Sequence, residues 1–184
     1  PWQIAAAICF DDALAEGARL AFTPPAIAPG DLAFLQYTGG TTGVSKGAMI
    51  THRNAVAAAL GGQAWLGPAF EREPRVDNPT LVCALPLYHI YALVACLLLG
   101  LRIGGRLLLI PNARDLDALV RDLRRDPPHL FPAVNTLYNA LLDHPQFDQI
   151  DFSNLRVANS GGMAVQRAVA ERWLARTCCP IVEG

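Results

Sequence analysis

From Thr80 onward, short apolar runs alternate with segments of helical period, and this alternation constrains the fold more than any other feature of the chain. Leu81-Val82-Cys83-Ala84-Leu85 is ended by Pro86, and Arg106-Leu107-Leu108-Leu109-Ile110 by Pro111. Leu130–Val134, Leu155–Ala158 and Ile181-Val182 repeat the pattern. These runs are apolar at successive positions, so each strand has two faces to bury. Helical segments are expected near 90–100, over 136–143 and over 164–176, with another capped by Asp115. In that last one Leu116, Leu119, Val120 and Leu123 share a face, and Pro127-Pro128 stops it. Two-faced apolar strands separated by helices require a sheet covered on both sides. The expected fold class is α/β, a largely parallel sheet flanked by helices; no internal repeat is present.

The N-terminal part carries a different signal. Behind the apolar run Leu32-Ala33-Phe34-Leu35 comes Tyr37-Thr38-Gly39-Gly40-Thr41-Thr42-Gly43-Val44-Ser45-Lys46-Gly47, with four glycines and three threonines in eleven residues. Glycine lets the backbone reach positive φ and approach a ligand closely. Successive N–H groups in such turns can form an anion-binding concavity. Hydroxyls add neutral donors, and Lys46 adds a mobile positive charge suited to phosphate. A cradle for the phosphates of a nucleoside triphosphate is expected, ordered by its ligand because four glycines restrain φ and ψ so little. A P-loop of the Walker type needs Gly-Lys followed by Ser or Thr at the opening of a helix. Here Ser45 precedes Lys46, Gly47 follows it, and Ala48-Met49-Ile50 reads as a strand. The loop therefore links two strands, and Thr51 caps a later helix that ends near Gly61-Gly62. Residues 67–79, with Pro68, Pro74 and Pro79, are expected to form an exposed loop. Residues 1–30 form a poorly defined segment in which Asp11 caps a short helix ended by Gly17, followed by the extended linker Thr23–Gly30.

Bulk numbers narrow the function classes. The chain has 184 residues, a hydrophobic fraction of 52% and a charged fraction of 17%, enough for one apolar core. A net charge of −1 argues against a nucleic-acid binder, which needs a basic stripe. Arg121, Arg124 and Arg125, interleaved with Asp122 and Asp126, are expected to form a solvated helix face. Five cysteines without framework spacing fit a reducing cytoplasm, with Cys83 and Cys96 as small core residues. Four scattered histidines and no Cys-x-x-C give no metal site. Residues 81–101 are apolar over about the length of a membrane span. Pro86, His89 and two tyrosines interrupt them, which favours a buried strand, turn and helix. Both ends look cut, so a piece of a longer protein is expected.

Tyr-Thr-Gly-Gly-Thr-Thr-Gly-Val-Ser-Lys-Gly-Ala-Met-Ile-Thr-His, residues 37–52, resembles the phosphate-loop signature of the adenylate-forming enzymes. Three later segments narrow the likeness to the acyl-CoA synthetase branch and its bacterial long-chain fatty acid–CoA ligases. They are Pro86-Leu87-Tyr88-His89-Ile90-Tyr91, Phe131-Pro132-Ala133-Val134-Asn135-Thr136-Leu137-Tyr138 and Ser160-Gly161-Gly162-Met163. The position of Asn135 is proline in many members of the superfamily; on the residues alone Asn135 is a candidate N-cap. The resemblance covers 31–184 as part of a larger N-terminal domain, and only weakly 10–30. It implies that ATP lies against Thr38, Gly39, Gly40, Thr41, Thr42, Gly43, Ser45, Lys46 and Gly47, with Gly161 and Gly162 beside adenine. It places Tyr88, His89, Val134 and Thr136 on the acyl side, and makes His89 and Lys46 the catalytic candidates. The implied activity is ATP-dependent conversion of a long-chain fatty acid to acyl-AMP and then acyl-CoA, with CoA and Mg²⁺. Its implied setting is cytoplasmic, with room for peripheral membrane association and for a homodimer of the parent protein. The Tyr-Gly-x-Thr-Glu segment that supplies the Mg²⁺ ligand in the family would follow Gly184. Two other functions stay open: a non-catalytic nucleotide- or acyl-binding fragment, and an adenylation domain for a different carboxylic acid.

Overall fold

A computed structural model of the protein describes residues 7–38 and 45–184, with Thr38 described only as backbone. The expectations for Gly39, Gly40, Thr41, Thr42 and Gly43, and for the order of their loop, lie outside the described residues.

Five parallel strands form the central sheet: β3 (Thr80–Cys83), β4 (Arg106–Leu109), β5 (Leu130–Ala133), β6 (Val157–Ser160) and β7 (Ile181–Glu183). Their spatial order is β4-β3-β5-β6-β7. The chain leaves β3 toward one edge, returns past it, and builds β5 to β7 on the other side. The direction of winding therefore reverses between β3 and β5, and ligands of open α/β sheets bind outside the strand ends at such a reversal.

The two-faced strands sort their residues as the alternation requires. Val82, Phe131 and Ala158 face one core, with Leu119, Val120 and Leu123 of α5 (Leu116–Arg125), Tyr138 and Leu141 of α6 (Asn135–Leu142), and Trp173 of α7 (Arg167–Thr177). Leu81, Leu130 and Val157 face the other, against Leu66 and Phe70 of α2 (His52–Glu71) and against Leu99. Leu99 opens α4 (Leu99–Ile103), the last part of a helical run that starts with α3 (Ile90–Ala92) and passes through a π-helical stretch, Leu93–Leu98. No helix among the described residues is long and apolar enough to cross a membrane.

β1 (Leu32–Thr38) and β2 (Lys46–Thr51) form a separate antiparallel pair, with Thr38 opposite Lys46 and Tyr37 opposite Gly47. Lys46 thus opens a strand, which removes the Walker-type alternative. A Cβ on Gly47 would lie 3.3 Å from the Tyr37 ring, so this glycine lets the aromatic ring lie flat over the facing strand. Thr51 caps α2 through a reciprocal pair: Asn54 N–H donates to Thr51 Oγ1 at 3.2 Å and Thr51 N–H to Asn54 Oδ1 at 3.0 Å.

Several expected boundaries change. α2 continues past Gly61-Gly62 and through Pro68 to Glu71, consuming part of the expected loop. Burial of Leu66 and Phe70 supplies what local propensity lacks. Asp11 does not cap α1 (Phe10–Gly17), which starts two residues earlier than expected, behind Cys9, without a side-chain cap. β6 lies two residues later than expected. Asp126 is buried, paired with Arg106 and Arg125, rather than part of a solvated face. The hydrogen bond from Arg125 first, then the charge of Arg106, hold its carboxyl below the usual range against the opposing effect of burial.

Candidate active site at the carboxyl edge of the sheet

Four loops meet where the parallel strands end. The first, after β3, carries Tyr88 and His89. A turn closes it, with His89 N–H donating to Pro86 O at 2.9 Å, and His89 then caps α3. Its Nδ1 accepts the Tyr91 N–H at 3.2 Å. A ring that accepts at Nδ1 carries its neutral proton on Nε2, so the exposed edge of the imidazole is a donor. Tyr88 is 84% exposed, its ring open to whatever occupies the edge.

Tyr91 turns inward. Its hydroxyl donates to Asn159 O at 3.1 Å, and burial pushes its pKa up, keeping it a neutral donor. Its ring lies against Gly161, where a Cβ would stand 3.3 Å from the ring carbon Cζ. Gly162 has φ of +84°, a left-handed backbone that side chains disfavour. The two glycines thus answer different needs: close approach at Gly161, chain reversal at Gly162. Cys83 and Cys96 are buried free thiols, as expected for core residues. Cys96 Sγ–H donates to Val82 O at 3.6 Å, and the neighbouring Cys83 thiol together with burial raises the Cys96 pKa.

The hairpin reaches this edge through Gln36, whose Nε2 donates to Tyr88 O at 3.3 Å. Ser45, Lys46 and Gly47 are exposed at the mouth of the loop, and Lys46 makes no ion pair among the described residues. Below the hairpin, Phe34, Ile50, Ala58, Ile90 and Leu93 enclose an apolar cavity of about 190 Å³ that starts immediately after His89. On the opposite side an open cleft of about 1100 Å³ runs from Tyr88 past Val134 and Thr136 to Leu109, Ala113 and Leu116. It lies at the reversal between β3 and β5.

Of the predicted positions, Tyr88, Val134 and Thr136 share the cleft, and His89 is joined to Gly161 through Tyr91. Ser45, Lys46 and Gly47 stay on the hairpin, linked to the same loop through Gln36. Asn135 is not an N-cap: Val134 holds that position, and Asn135 Oδ1 instead accepts the Gln166 N–H at 2.9 Å. Sequence reasoning missed Gln36, Glu183 and the β4–α5 wall of the cleft. Pro111 ends β4 as Pro86 ends β3, so the carboxyl-edge rule applied to both would have pointed to residues 109–116.

Residues 4–184 match the family model described as AMP-binding enzyme. The chain belongs to the AMP-binding enzyme family. Within that family it is 48% identical over 178 residues to the long-chain-fatty-acid–CoA ligase of Escherichia coli O6:H1, covering 97% of this chain and 31% of the relative. The Haemophilus influenzae long-chain-fatty-acid–CoA ligase is 41% identical, with 100% and 32% covered. The chain thus spans about a third of the length of these relatives. Among AMP-binding enzymes of known structure, the inhibitor-bound N-terminal domain of FACL13 from Mycobacterium tuberculosis superposes with a TM-score of 0.75 at 27% identity, covering 94% of this chain and 42% of that one. ATP-bound MatB from Rhodopseudomonas palustris gives 0.73 at 28% identity, with 89% and 30% covered.

Proposed function

We propose that this chain is the phosphate-loop and carboxyl-edge portion of an AMP-forming long-chain fatty acid–CoA ligase. The observation that carries this reading is the 48% identity to bacterial long-chain ligases over 97% of the chain. The parent protein would activate the fatty acid in two steps. A carboxylate oxygen attacks the α-phosphorus of ATP, expelling pyrophosphate and leaving acyl-AMP. The thiolate of CoA then attacks the acyl carbon and expels AMP.

Positioning and charge stabilisation supply most of the catalysis in such steps. Thr38, Thr41, Thr42 and Ser45, with the N–H groups of Gly39, Gly40, Gly43 and Gly47, donate to the β- and γ-phosphates, and Lys46 neutralises the departing pyrophosphate. His89 presents its Nε2–H to the acyl carboxylate, with Tyr88, Val134 and Thr136 bordering it. Gly161 and Gly162 bring bare backbone beside the adenine. Apolar space on both sides of Tyr88-His89 suits the two long substrate arms, an acyl chain and the pantetheine of CoA. Mg²⁺ would be held mainly by the ATP phosphates and water, with one or two protein carboxylates; the described residues contain no cluster of three His, Cys, Asp or Glu. The parent is placed in the cytoplasm, where ATP and CoA are available, with peripheral membrane contact and a homodimer as compatible arrangements.

ATP–pyrophosphate exchange by the full-length protein tests the reading. Exchange driven by hexadecanoate and not by amino acids is expected. Exchange with amino acids alone would make it an adenylation domain for another acid, and no exchange with any acid would leave a nucleotide- or acyl-binding protein.

A further inference from the structure

Helix α7 enters the fold without a cap of its own. Gln166 holds its N-cap position with no side-chain hydrogen bond, and Met163-Ala164-Val165 before it offer none of the usual capping oxygens. Two consecutive amides at that entry are instead satisfied from distant elements. Val165 N–H donates to Glu183 Oε1 at 3.0 Å, at the end of β7, and Gln166 N–H to Asn135 Oδ1 at 2.9 Å, at the start of α6. The turn from Gly161 to Gln166 is therefore held by side chains it does not contain.

Asn135 differs from the other polar links along the α6–α7 seam. Arg172 reaches Asn139 and Asp143, and Arg176 reaches Leu142 O, all further along the helices from the strand ends. Only the Asn135 link lies at the carboxyl edge, and its two neighbours, Val134 and Thr136, line the large cleft. One side chain thus fixes the spacing between the cleft wall and the glycine turn. Gly162, at φ of +84°, has no side chain to hold that spacing by packing.

We propose that Asn135 is a positioning residue that sets the adenine side of the site, the Gly161-Gly162 turn, against the substrate cleft. This rests on the assignment of the turn to adenine under the proposed function. A carboxylate at this position keeps the acceptor, whereas a methyl group removes it. The amide of Gln166 then has no partner within the protein and turns to water, and the turn is free to move relative to the cleft.

The test uses the full-length enzyme with Asn135→Ala, Asn135→Asp and, as a control on the same seam, Arg172→Ala. Hydrogen exchange at the Gln166 amide is expected to quicken in Asn135→Ala and to stay slow in Asn135→Asp. Losing one neutral hydrogen bond should weaken direct ATP binding about three- to ten-fold in Asn135→Ala. Asn135→Asp should restore it, and the KM for the fatty acid should hardly move. Arg172→Ala should lower the unfolding midpoint and leave ATP affinity unchanged. A freed Gln166 amide with unaltered ATP affinity would overturn the proposal, as would equal loss of affinity in Arg172→Ala or no recovery in Asn135→Asp. ATP titration and amide exchange need no fatty acid, so they decide the role of Asn135 even where fatty-acid-driven exchange fails and the ligase reading falls.

Discussion

The β1–β2 hairpin and the sheet face covered by α5, α6 and α7 are built on opposite principles. On the sheet face Trp173 is 0% exposed and meets Tyr138, Phe152, Phe147 and Phe131 edge-on, with ring centroids 4.6 to 6.0 Å away. On the hairpin Met49 is 72% exposed and Tyr37 61%. Its order comes from a few specific anchors: the Tyr37 ring over Gly47, the Thr51–Asn54 cap, and the Gln36 bond to Tyr88. Burial fixes the scaffold, and the hairpin, proposed to face ATP, is tethered to it by a few contacts. Changes in the first region should therefore appear as lost stability, and changes in the second as lost binding.

The largest expected effect lies on the stability side. Trp173→Ala should cost about 3–5 kcal/mol, the range for deleting a fully buried aromatic side chain. Urea unfolding checks it. A loss below about 1 kcal/mol would mean that the aromatic cluster does not carry the sheet face.

A smaller effect comes from pH. His129 joins the sheet from the loop before β5, its Nδ1 accepting the Thr80 N–H at 3.0 Å. Burial first, and the charge of Arg156 second, lower its pKa below the ordinary 6.5. The folded value is thus lower than the unfolded one, so the unfolded chain binds the proton more readily. The stabilisation is fully present above the unfolded pKa, and is lost as pH falls from there toward the folded pKa. The urea midpoint should drop between pH 7.5 and 5.5, and His129→Gln should flatten that drop. An unchanged slope in the variant would assign the pH dependence elsewhere.

The same contrast explains what the sequence makes legible. Two-faced apolar strands and the Thr51 and Asp115 caps are local signals, and the parallel sheet and both helix starts follow from them. The glycine- and threonine-rich run over 37–47 is legible as a composition that no core element could use. The position of β4 beyond β3 was not legible, because strand order depends on pairing between distant segments. Neither was the extension of α2 through Pro68, which rests on burial of Leu66 and Phe70. Asn135 shows the limit most clearly. Its type suggested a cap, and its oxygen does bond an amide, but that amide lies 31 residues away on another loop.

Lys46→Ala in the full-length protein tests the central claim most directly, because Lys46 is exposed on the tethered hairpin and takes no part in the buried core. A charge-assisted contact to phosphate is worth roughly 1.5–3 kcal/mol, or about ten- to a hundred-fold in affinity. ATP–pyrophosphate exchange measured against ATP concentration should show the apparent ATP constant rising by that factor, with the fatty-acid constant nearly unchanged and the unfolding midpoint unmoved. An ATP dependence identical to that of the unaltered protein would contradict the account and leave Lys46 an ordinary solvated lysine.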